Sequence, residues 1–92
     1  MSGKTQQEER GMIKITVEVV ALNQDSVKLT YEVNAGDIHV FRTRVEKVNQ
    51  GMYGVENGKA VVLAENYHKD LVRVMGKDAF FELQCNLEAQ QL

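Results

Sequence analysis

The sequence predicts an α+β fold: an antiparallel β-meander of five to six strands with one helix near residues 65–75, in the order β-β-β-β-β-α-β. Three observations predict it. Apolar and polar residues alternate from Met12 to Leu22 and again from Val27 to Val33, the period-two signature of half-buried strands. Asn57-Gly58 separates two apolar runs, the strongest short hairpin signal. Tyr67, Leu71, Val74 and Met75 fall at helical spacing on one stripe.

In the first strand Ile13, Ile15, Val17, Val19 and Ala21 share one face, and Lys14, Thr16 and Glu18 the other. Asn23-Gln24-Asp25 is a turn, after which Val27, Leu29, Tyr31 and Val33 point inward. Both inward sets are odd-numbered, so directly opposed residues must sum to an even number. A three-residue loop closed by Leu22 and Ser26 meets that condition and a two-residue loop does not. This register sets Thr16 opposite Glu32 and Lys28 diagonal to Glu18.

Asn34-Ala35-Gly36-Asp37 makes the second turn, and Ile38 opens a third strand. Ile38 and Val40 point inward, followed by Phe41, Thr43 and Val45; the slip at Val40-Phe41 reads as a β-bulge. Arg42, Arg44 and Glu46 then face outward. Asn49-Gln50-Gly51 ends this strand, and Met52–Val55 with Lys59–Ala64 forms the Asn57-Gly58 hairpin. Glu65–Met75 reads as a helix capped by Asn66 and stopped by Gly76. A rival reading makes Leu71–Met75 a strand in a hairpin with the next segment. The final strand puts Ala79, Phe81, Leu83, Cys85 and Leu87 inward and Glu82, Gln84 and Asn86 outward. The helix is expected to cover the odd-numbered face of the first two strands. An open sheet and a partly open barrel both fit.

A chain of 92 residues has room for one domain. Residues 1–10, MSGKTQQEER, read as a disordered tail, and residues 11–92 as a single α+β domain. The tail has no apolar core of a signal peptide, and no run is long enough to span a bilayer as a helix. The formal charge of -2 lacks the basic excess usual in nucleic-acid binders. Cys85 is the only cysteine, so no intramolecular disulfide and no multi-cysteine zinc site can form. A cytoplasmic location is the expectation.

The residues that could carry chemistry read mostly as ordinary structure. His39 and His68 have no carboxylate or thiol at a recognised ligand spacing, so no metal or cofactor is expected. Cys85 falls in an apolar row and reads as a buried, inert thiol. Ser2 and Ser26 are the only serines, and neither lies in a nucleophile elbow. Gly51-Met52-Tyr53-Gly54 has the shape of a GxxG loop, yet it precedes a strand and lacks flanking basic residues. Glu18, Glu32 and Glu46 share the predicted outer face with Lys14, Lys28, Arg42 and Arg44, an ion-paired surface that keeps carboxylates ordinary. No catalytic residue is assigned.

The functional expectation is therefore a small non-enzymatic binding module acting through protein–protein contacts, with homodimerisation open to it. Met12, Val20 and Leu22 on the outer face of the first strand, and Phe80 on that of the last, are its candidate contacts. An alternative is nucleic-acid binding through Lys28, Arg42 and Arg44, although Tyr31, Phe41 and Phe81 are expected inward and only Tyr53 and Phe80 outward. A third is a small-ligand pocket between helix and sheet, lined by Tyr67, His68 and Tyr31.

Overall fold

The computed structural model describes residues 13–91. The expectations for the tail and for Met12 lie outside the described residues. Strands β1 (Ile13–Ala21), β2 (Ser26–Ala35) and β3 (Ile38–Lys47) form one antiparallel sheet in that order. Strands β4 (Tyr53–Glu56) and β5 (Lys59–Val62) form a second, two-stranded sheet, and helix α1 (Glu65–Gln91) follows. The class is α+β, but the strands divide three and two, and the segment expected as a last strand is helix.

The first hairpin has the even-sum register: Thr16 lies opposite Glu32, and Leu22 N–H donates to Ser26 O at 3.0 Å. The Asn23 side chain holds the loop, accepting from Asp25 N–H at 2.7 Å and from the Ser26 hydroxyl at 3.2 Å. Such local bonding is why asparagine favours turns. The β4–β5 turn is Asn57-Gly58, with φ of 54° and 76°, the left-handed pair that a type I′ turn needs.

β3 overturns the expected bulge. Gly36 and Asp37 alone form its loop, with Gly36 at φ 63°, and the ladder runs unbroken from Ala35↔Ile38 to Ser26↔Lys47. Opposed residues here sum to an odd number, so the odd residues of β2 share a face with the even residues of β3. Arg42, Arg44 and Glu46 therefore point to the helix side, where Glu46 is buried. Phe41 and Val45 point away, 53% and 56% exposed. A tight turn fixes the facing of the whole strand, and two apolar side chains do not outweigh an intact ladder.

The helix does not stop at Gly76. Leu71, Met75, Ala79 and Leu83 are buried at intervals of four along it. Ala79, Leu83 and Leu87 fit an alternating strand and an i, i+4 helical row equally well, which is how this segment imitates a strand. Phe81, at 70% exposure, and Cys85 are instead out in solvent, contrary to the inward placement expected of them. Asn66 lies inside the first turn rather than ahead of it. Gly76 is buried because the Tyr31 ring occupies its side-chain space; a Cβ there would stand 3.0 Å from the Tyr31 hydroxyl.

The core is the β2 row Val27, Leu29, Tyr31 and Val33 with Ile38 and Val40, roofed by the buried row of α1 and by Tyr53. α1 packs on β2 and β3, and the β4–β5 hairpin packs on β2 and the end of β1. The odd face of β1 is thus not covered as expected. Ile13, Ile15 and Val17 remain 44%, 48% and 39% exposed.

Gly76→Ala gains about 1 kcal/mol of helix propensity, against an overpacking cost of about 1–3 kcal/mol as its Cβ meets Tyr31. We expect net destabilisation, and a smaller cost in a Tyr31→Phe background, because the hydroxyl is the nearest atom. Urea midpoints for the four proteins of this cycle measure the coupling; additive effects would refute the close-packing account.

Candidate interaction surface

β1 is an edge strand, with β2 on one side and no ladder on the other among the described residues. The Leu22–Ser26 bond marks a hydrogen-bonded pair. In an antiparallel ladder these alternate with non-bonded pairs, so the even-numbered residues of β1 direct N–H and C=O toward β2. The backbone groups of Ile13, Ile15, Val17 and Val19 point to the open edge. The same residues carry the apolar side chains, so one row of β1 offers both unpaired backbone and β-branched surface.

The surroundings set the limits of this surface. Toward the end of β1, a groove of about 410 Å³ separates Val19–Ala21 from Gly58–Ala60 of the second hairpin. On the helix side, Phe80 meets Tyr31 edge-on at 6.5 Å between ring centres, and Tyr31 is the cross-strand partner of Val17. Val20 and Leu22, the expected contacts, are exposed at 42% and 48%. Val20 is on the outer face, and Leu22 borders a hollow of about 610 Å³ between the β1–β2 and β4–β5 turns. Phe80 is not on the outer face of any strand; it is half-buried on the helix. Sequence reasoning missed Ile13, Ile15 and Val17 because strict alternation marks the apolar face of a strand and says nothing of whether another element lies over it.

The outer face of the sheet is mixed. Val20, Lys28 and Val45 form one row across the three strands, and Thr16, Glu32 and Phe41 another. His39 stacks on Phe41 at 5.6 Å, and its Nε2 lies 2.7 Å from Glu32 Oε2. The candidate nucleic-acid residues are divided between faces: Lys28 is on this one, while Arg42 and Arg44 are on the helix side and paired with Glu82 and Glu46.

The residues expected to line a ligand pocket instead knit helix to sheet. Tyr67 O–H donates to Glu46 Oε1 at 3.0 Å, and Arg44 Nε donates to Glu46 Oε2 at 2.7 Å. Both oxygens of the buried carboxylate are satisfied, the condition for keeping such a group inside. His68 turns toward the second hairpin, its Nδ1 3.2 Å from the Tyr53 hydroxyl. Tyr53, expected outward, is fully buried; burial first, then the Glu46 charge, pushes its phenol up to about 12. The Tyr67 phenol is raised for the same reasons, with its bond to Glu46 adding to the effect. The Arg44 guanidinium is raised by its bond to Glu46. The concavity beside this cluster, lined by Arg44, Tyr67, Asp70, Leu71 and Val74, holds only about 270 Å³.

Among the described residues, no three His, Cys, Asp or Glu side chains are grouped to hold a metal ion. No helix among them is long and apolar enough to cross a membrane. The fold and this surface define a class: an α+β protein whose three-stranded sheet is roofed over two strands and, among the described residues, left open along the third. Compared with known proteins, the chain finds no match: no family model fits it, and no curated protein or solved structure does.

Glu46→Ala should cost about 1–2 kcal/mol, because it leaves the part-buried Tyr67 hydroxyl without its acceptor and removes the Arg44 pair. Glu32→Ala, which removes an exposed pair, should cost less than about 0.5 kcal/mol. Chemical denaturation of both variants decides this, and equal costs would refute the structural role of Glu46. Because the folded pKa of Tyr53 lies above the ordinary value near 10, its neutral form stabilises the fold fully below about pH 10. That contribution is lost as pH rises through about 12. Spectrophotometric titration should show that Tyr53→Phe removes the phenol ionising near 12; a loss near 10 would contradict its burial.

Proposed function

We propose that this chain is a small non-enzymatic binding module that works through protein–protein contact, with the open edge of β1 as its contact strand. One observation carries the reading. Ile13, Ile15 and Val17 are 39–48% exposed on the strand whose far edge has no partner among the described residues. An open apolar edge is the surface that strand addition uses, where main-chain bonds supply affinity and alternate side chains supply selectivity. It is also a liability that monomeric proteins usually cover, bend or break with proline, and this sequence has no proline. Val20 and Leu22, at the end of the same strand beside the second hairpin, border the contact, and Phe80 flanks it from the helix. A cytoplasmic setting accords with the exposed Cys85 thiol, which a reducing compartment keeps free.

A photo-crosslinking residue placed at Ile15 or Val17 in the full chain, expressed in cells, tests this. Discrete protein adducts should form from both positions and not from Lys77, which is exposed on the helix. The same adducts from all three positions, or none from β1, would overturn the proposal.

A further inference from the structure

We propose that the partner of β1 is a second copy of the same chain, paired antiparallel about a two-fold axis at Thr16 so that two sheets become one of six strands. This rests on the reading of β1 as the contact strand and specifies its occupant and register. The edge is self-complementary in three respects, and they select the same alignment.

The first is facing. Ile13, Ile15, Val17 and Val19 carry the edge-directed backbone groups and lie on the helix side of the sheet, so in a self-pair they must oppose one another. Opposed residues must therefore sum to an even number; an odd sum would set apolar residues of one copy beside the polar face of the other.

Charge is the second. Among the even-sum alignments, the one centred on Thr16 sets Lys14 opposite Glu18 of the second copy, and Glu18 opposite its Lys14. It forms two ion pairs by symmetry. Centring on Lys14 or Glu18 would place like charges face to face. Centring on Ile15 or Val17 leaves Lys14 opposite Thr16 or Val20. Only the Thr16 axis uses both charges. On the helix side this alignment opposes Ile15 to Val17 and Ile13 to Val19.

Third is the length of edge that is free. The second hairpin stands beside Val19–Ala21 across the groove described above. Pairing about Thr16 engages Ile13–Val19 of each copy and stops where that hairpin begins. Alignments centred nearer the end of β1 would drive the second copy into it. A two-fold axis normal to the sheet keeps both helices on the same face. The two rows of Ile13, Ile15 and Val17 then meet side by side between the helices, each bordered by its own Phe80.

The experiment reverses the charges in the full-length chain. Lys14→Glu and Glu18→Lys should each weaken self-association by roughly tenfold, as two attractions become two repulsions. The double variant should restore it, and an equimolar mixture of the single variants should form mixed dimers in preference to either alone. Sedimentation equilibrium gives the mass, and mass spectrometry of differentially labelled chains gives the pairing. Hydrogen exchange supplies a readout that no charge change perturbs. In the unaltered chain the amides of Ile13, Ile15, Val17 and Val19 should lose protection on dilution, while those of Thr16 and Glu18, bonded to β2, keep it.

A dimer indifferent to both single reversals would overturn the Thr16 register. A chain that stays monomeric at every concentration would overturn self-pairing. If crosslinks from Ile15 and Val17 then still reach another protein, β1 remains the contact strand and only its assignment to a second copy fails. If they reach nothing, both readings fail together.

Discussion

One helix is about 10 Å across and strands lie about 4.8 Å apart, so α1 roofs two strands of this sheet and cannot roof a third. The rest of the molecule follows from where that roof sits. It lies over β2 and β3, the central strand having the longest apolar row, Val27, Leu29, Tyr31 and Val33. Gly76 fixes how closely it sits, since the Tyr31 ring fills the space that any side chain at that position would need. The second hairpin covers the start of β2 with Tyr53 and the end of β1. Ile13, Ile15 and Val17 are the part of the apolar face that neither element reaches.

A second constraint gives the roof its polar seam. The Gly36-Asp37 loop sets β3 so that Arg42, Arg44 and Glu46 face the helix instead of solvent. Arg42 pairs with Glu82 of the helix, and Glu46 accepts from Tyr67. These two links stand at either end of the buried stretch of α1. Apart from the fit of Gly76 to Tyr31, apolar packing is nearly indifferent to sliding a helix by one turn along a groove. A buried carboxylate is not, because a shift that removes Tyr67 leaves a desolvated oxygen without a donor. The seam therefore adds orientation to a contact whose strength comes from burial.

These two constraints also explain which parts were legible in the sequence. The β1–β2 register followed from parity and a three-residue loop, and the β4–β5 hairpin from Asn57-Gly58, because both are decided within a few residues. β3 was misread because its apolar pattern and its turn disagree: Phe41 and Val45 argue for a slip, while Gly36-Asp37 demands none. The C-terminal segment was misread because Ala79, Leu83 and Leu87 satisfy period two and period four together. Gly76 then looked like a stop, although its reason is the Tyr31 ring, forty-five places away in sequence and in tertiary contact, rather than a local turn. Glu46 was grouped with Glu18 and Glu32 for the same cause, since only the β2–β3 register separates them. As for the open edge, its residues were identified correctly as apolar, but their exposure depends on the width of a helix that packs elsewhere.

The uncovered row is not a general defect of a small core, because the same strand is otherwise built with care. Its polar residues all face away from the helix, and its alternation does not falter from Ile13 to Val19. A strand that merely bordered the sheet could carry a charge or a proline at Ile15 or Val17 without harm to the core, since neither side chain is buried. Such a residue would protect the edge from pairing. From Ile13 to Val19, β1 instead keeps a β-branched residue at each edge-directed position, which gains little within the monomer and much against another strand. Lys14 and Glu18, the charges that could deter a second chain, are of opposite sign and equally spaced about Thr16, so they favour one antiparallel alignment of two copies over its neighbours. The limited reach of the helix and the symmetry of the strand it leaves open thus point to the same place on the molecule.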